Sequence, residues 1–80
     1  MAGIQAQFPF SGSATNTHTF PSMMSGIWVT NDGGSDITLT VNGNIFTIKP
    51  LETFDEFLAP FNTITITNAS ASAYRGYVRG

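Results

Sequence analysis

Two residues in the middle of the chain, Asn42-Gly43, constrain its fold more than any others. A two-residue β-hairpin loop of type I′ needs positive φ at both positions, and Asn-Gly is the pair that adopts it most readily. The flanking runs, "DITLTV" and "NIFTIK", alternate as half-buried strands do. With the turn at 42–43, Val41 faces Asn44, Leu39 faces Phe46 and Ile37 faces Ile48. These side chains share one face by the two-residue strand period, and all but Asn44 are apolar. The other face pairs Thr38 with Thr47, Thr40 with Ile45 and Asp36 with Lys49. A one-residue slip would turn the apolar set to solvent, so turn and pattern specify the same register.

The rest of the chain reads the same way. Thr, Ile, Val, Phe and Tyr dominate, with turn residues at short intervals and almost no helix signal. "GIWVTN" (26–31) is a strand with Ile27 and Val29 on one face and Trp28 and Thr30 on the other. "NTITITN" (62–68) is another, and "AYRGYVRG" closes the chain, with Tyr74, Gly76 and Val78 on one side and Arg75, Tyr77 and Arg79 on the other. Pro21 ends the strand around Thr17–Phe20 or places it on an edge. "LETFDEFLAPF" admits two readings. Phe54, Phe57, Leu58 and Phe61 fall at helical spacing, but Pro50 and Pro60 leave room for only about two turns, so an irregular strand with aromatic anchors fits as well. The expected fold is all-β: a compact antiparallel β-sandwich or jelly-roll-like barrel of six to eight short strands. Residues 1–25 are expected to form an N-terminal arm with one or two short strands, and 26–80 the sandwich core.

Size and composition bound the function. A chain of 80 residues buries only roughly 60% of its unfolded surface. Without cysteine it has neither disulfides nor thiolate metal sites to compensate. Charged residues are 10% of the chain, against ~25% in ordinary domains. Seven phenylalanines then leave few groups to keep a monomer's surface wet. Homo-oligomerisation, or docking on a larger assembly, is the expected remedy. The net charge of −2 with only three basic residues argues against a nucleic-acid partner. No run approaches the roughly 18 apolar residues of a membrane span, and the N-terminus lacks the basic and apolar regions of a signal peptide. Synthesis in the cytoplasm is expected, with exit only as part of something released by lysis.

Candidate sites are few. Asn31-Asp32-Gly33-Gly34-Ser35-Asp36 resembles a calcium loop, but two carboxylates without a bidentate Glu fall short of calcium's six to eight oxygens. A turn with Asp36 paired to Lys49 is the expected reading, and it leaves Asp32 alone. Glu52, Asp55 and Glu56 lie among phenylalanines, pointing outward, where Arg75 or Arg79 of a neighbouring copy would suit them. His18 is the only histidine, and nothing marks Ser11, Ser13 or Ser22 as activated, so neither enzymatic activity nor a cofactor is expected. Trp28, Tyr74 and Tyr77 would serve either as packing and contact anchors or as a platform for a sugar ring. Phe8, Phe10, Phe20, Trp28, Tyr77, Arg75 and Arg79 are the candidate subunit or capsid contacts.

One long run, "IWVTNDGGSDITLTVNGNIFTIKPLETFDEFLAPFNTITIT", resembles small structural proteins of tailed bacteriophages. The matching residues are Val29, Thr30, Asn31, Gly34, Ser35, Asn42, Gly43, Phe46, Pro50, Glu52, Phe54, Pro60, Phe61, Ile64 and Ile66, and "YRGYVRG" resembles their final strand. The resemblance implies a virion component, a small β-sandwich used as capsid decoration, fibre base or tail element, often a homotrimer. Its partners would be the major capsid protein or tail and fibre proteins, and its location the virion. It carries over no catalytic residue. The leading expectation is therefore a decoration or minor head protein. The alternatives are a tail, neck or fibre-base protein and a carbohydrate-binding host-recognition module.

Overall fold

Both arms of the central hairpin form in the expected register, β3 (Ile37–Val41) against β4 (Asn44–Ile48), with Ile37 opposite Ile48 and Leu39 opposite Phe46. Asn42 and Gly43 take φ of 52° and 78°, and Asn42 Nδ2 donates to the Ala59 carbonyl at 3.0 Å, tying the turn to the neighbouring strand. A computed structural model describes residues 6–80. The other strands are β1 (Ala6–Gly12), β2 (Asn16–Asn31), β5 (Thr53–Thr67) and β6 (Tyr74–Arg79). All described strands join one antiparallel sheet in the order β1-β6-β2-β5-β3-β4.

Two of these strands are long, and each serves twice. Residues 16–19 of β2 pair with 63–66 of β5, whose far side meets β3. Residues 26–30 of β2 pair with 53–57 of β5 on one side and with β6 on the other. The continuous sheet is thus folded into two four-stranded leaves. One runs β1, β6, late β2, early β5; the other runs early β2, late β5, β3, β4. This is the strand arrangement of a jelly roll.

Proline sets the corners. The β2–β5 register shifts between Thr19 and Met24, around Pro21, and again between Met24 and Gly26, while Pro60 lies in the facing stretch of β5. Neither proline can donate to the ladder, and bulges bend the strand that carries them. Pro21 therefore marks a bend within β2 and does not end it. The helical reading of 51–61 fails for the same reason: from Thr53 onward this stretch is part of β5, with Phe54 and Leu58 half-buried, Phe57 exposed, and Phe61 brought inside beyond the corner. Nor does the chain divide into an arm and a core at residue 25. Strand β2 runs through that point, and β1 is hydrogen-bonded to β6; residues 1–5 lie outside the described chain.

The leaves close on Met24, Ile27, Val29, Tyr74 and Val78 from one side and Phe20, Ile37, Leu39, Val41, Ile48, Phe61, Ile64 and Ile66 from the other, all buried. Aromatic pairs bridge the leaves at their margins. Phe10 stacks on His18 at 4.7 Å between centroids, and Phe46 meets Phe54 at 4.9 Å.

One end of the fold is held by a buried carboxamide. Asn31 is fully buried. Its Nδ2 donates to the carbonyls of Ser35 (2.7 Å) and Ile48 (3.0 Å). Its Oδ1 accepts from the Gly33 N–H (3.1 Å) and the Ser72 hydroxyl (2.7 Å). Ser72 is held in turn by Asn68, which accepts from its N–H at 2.8 Å and donates to its carbonyl at 2.7 Å. The loop read as a possible calcium site is therefore organised by an amide. The expected Asp36–Lys49 pair does not form, because β4 ends at Ile48 and the Lys49 N–H turns to Glu52 Oε1 at 3.1 Å. Asn31→Leu keeps the bulk and strands polar groups on three loops, each costing ~1–3 kcal/mol when left unpaired. The expected loss is about 2–4 kcal/mol in urea unfolding; a loss below about 0.5 kcal/mol would show that water replaces the network.

Candidate functional site

The outward face of the first leaf carries most of the residues the sequence singled out. β6 alternates as expected, with Tyr74, Gly76 and Val78 buried and Arg75, Tyr77 and Arg79 outward. Trp28 stands on β2 opposite Tyr77. The two rings stack with centroids 5.2 Å apart and planes 13° from parallel. The Arg75 guanidinium lies 5.7 Å from the Trp28 ring centre, and its Nε donates to Asp32 Oδ2 at 2.8 Å. Arg79 lies 5.2 Å from the Phe57 ring and 5.8 Å from Tyr77, and it pairs with Asp55. Its Nε is buried without a hydrogen-bond partner. Cations over aromatic rings interact favourably with the ring faces, so the four side chains Arg75, Trp28, Tyr77 and Arg79 hold one another upright.

Two sequence-based expectations are corrected here. Asp32 is not alone but paired with Arg75, and Asp55 finds its arginine, Arg79, within the same chain. Arg75 on β6 reaches the loop that follows β2, and Arg79 on β6 reaches across β2 to Asp55 on β5, so neither pair was visible to local pattern.

Beside the stack, a cleft of ≈ 440 Å³ opens over β1, β6 and β2. Pro9, Phe10 and Ser11 form one side, with Trp28, Arg75, Gly76 and Tyr77 forming the other. The β1–β6 ladder skips a residue between Gln7 and Phe10, and Phe8 at this bulge takes a φ of 52°. Pro9, Ser11 and Phe57 were not among the sequence-derived candidates. No local signal could have found them, because the bulge and the β2–β5 pairing that place them are long-range.

The remaining candidates scatter. Phe8 is 38% exposed, Phe10 is half-buried against the core, and Phe20 is inside it at 6%, which removes Phe20 from the contact residues. Tyr74 is also inside, so it belongs to no surface platform; its hydroxyl meets His18 Nε2 at 3.2 Å. Among the described residues no group of three or more His, Cys, Asp and Glu is gathered where it could hold a metal ion, and no helix is long and apolar enough to cross a membrane.

Comparison with protein-family models and with curated proteins finds no match. Among solved structures, the crystal structure of PirA superposes with a TM-score of 0.56 at 9% identity, covering 91% of this chain and 92% of that chain. At that identity the likeness is one of fold.

Burial holds the His18 imidazole below its ordinary 6.5 and the Tyr74 phenol above its ordinary 10.0. The folded state therefore resists protonation of His18, while the unfolded chain takes the proton freely. Stability is full above pH 6.5 and falls as pH drops through the folded value. Tyr74 acts at the other end: stability is full below pH 10.0 and is lost as pH rises through its folded value. Urea midpoints of His18→Gln should lie flat between about pH 7 and pH 5, where the parent slopes downward on acidification. An unchanged slope in the variant would assign the effect to other groups.

Proposed function

We propose that this chain is a structural subunit of a tailed-phage particle, a capsid decoration or minor head protein that assembles as a homo-oligomer, most simply a trimer. On this reading it does no chemistry; it binds copies of itself and other virion proteins, the major capsid protein first among them. The observation that carries the reading is the exposure of large apolar side chains on a small domain, Leu51, Ile45, Phe57 and Met23 among them. Phe57 is 61% exposed and Met23 55%, and both lie where the long strands bend. With charged residues at 10% of the chain, this corner is a natural seat for a neighbouring copy. The sequence resemblance running from Ile27 to Thr67 supports the same reading, and jelly rolls serve as capsid modules. A tail, neck or fibre-base role uses the same surface and differs in copy number.

The wild-type chain is expected to run as an oligomer in light scattering, and Phe57→Glu with Met23→Glu as a folded monomer that no longer enters particles. In purified particles, copies in the hundreds support decoration of the shell, while a dozen or fewer move the protein to the neck or tail. A monomeric wild type that is absent from particles would overturn the proposal.

A further inference from the structure

We propose that the cleft between β1, β6 and β2 is a carbohydrate site, shaped for one neutral pyranose ring. Its ≈ 440 Å³ falls within the ~300–1,000 Å³ of small-molecule sites. Its walls combine what a sugar ring needs. Trp28 and Tyr77, both in the lining, offer the C–H face of the ring the apolar surface that their mutual stacking leaves uncovered. Arg75 and the Ser11 hydroxyl, also in the lining, offer hydrogen-bonding groups to its rim.

The Arg75–Asp32 pair argues for hydroxyls. Both side chains remain well exposed, at 63% and 43%. The contact between them uses only the Arg75 Nε, which leaves the guanidinium's other N–H groups as donors. The carboxylate beside them supplies acceptors. A hydroxyl is at once a donor and an acceptor, so neighbouring hydroxyls match this pair. The second pair on the face, Arg79 with Asp55, is likewise balanced. With each cation neutralised by its own carboxylate, the face has no net attraction for a carboxylated or phosphorylated ligand. The occupant is therefore uncharged.

The strand that forms the far wall is strained. Phe8 holds a left-handed φ of 52° at the bulge, a conformation that is unfavourable for an L-residue with a side chain. The bulge shifts the outward residues of β1 by one place just where Pro9, Phe10 and Ser11 line the cleft. Bulges re-aim side chains beside binding sites, and such strain collects where function holds it. The cleft adjoins the proposed assembly corner without sharing a lining residue with it: Phe57 is on β5, and Arg79 lies against both its ring and that of Tyr77.

Trp28 is the only tryptophan, so intrinsic emission reports on the cleft directly. The full chain would be titrated with the methyl glycosides of glucose, galactose, mannose and N-acetylglucosamine, and with methyl glucuronide as the charged comparison. A saturable change in Trp28 emission is expected with at least one neutral glycoside, with no tighter binding of the glucuronide. Arg75→Gln and Ser11→Ala are surface changes that leave the core untouched, and each should weaken binding about threefold to tenfold, the loss of one hydrogen bond. Tyr77→Ala should weaken it by a similar factor through lost stacking. Three results would each overturn the proposal: no saturable change with any neutral glycoside, binding that survives Arg75→Gln and Ser11→Ala unchanged, or a glucuronide preferred over every neutral ring.

Discussion

Two strands, β2 and β5, belong to both leaves at once, and the rest of the fold depends on their bending at the same place. Each spends one half in each leaf. If they ran straight, the chain would form one flat sheet with an apolar face open to water. The bend brings that face onto itself. Pro21 and Pro60 supply the interruption, because a missing N–H lets the ladder lapse where the strands must turn. The inner side chains then interdigitate without a single disulfide.

Folding a sheet over leaves its loops gathered at the ends, and at one end a single carboxamide closes them. Asn31 uses both donors and both acceptor positions of its side chain, while its backbone N–H and carbonyl bind Glu52 and Leu51. A carboxylate at this position would lose the donors, and a hydroxyl would reach fewer partners. Such a satisfied buried network specifies loop conformation more than it adds bulk stability. It also gives a segment rich in Asp and Gly fixed partners in the Asn31 carboxamide.

The outer face of the first leaf is built on the other physical theme, cations laid over aromatic rings. Arg75 and Arg79 each meet a ring and a carboxylate. Surface ion pairs alone contribute little, so the effect of these pairs lies in positioning. They brace the Trp28–Tyr77 stack and leave beside it a cleft whose charged lining residue, Arg75, is paired with Asp32.

What the sequence by itself determined was everything set within a strand or across a tight turn. Asn42-Gly43 specified the register of Leu39 against Phe46, and the period of two separated Ile27 from Trp28 and Val78 from Tyr77. These follow from local sterics and alternation, which neighbouring residues carry on their own. Which strands lie side by side was decided only by the tertiary structure. Pro21 read as a strand end or an edge position because nothing local shows a strand resuming beyond a missing N–H. Asp32 read as solitary because Arg75 lies 43 residues away, and Asn31 read as a turn residue because Ser72 lies 41 residues away. Long-range pairing depends on how the whole apolar surface can be buried at once, and no short stretch of the chain contains that information.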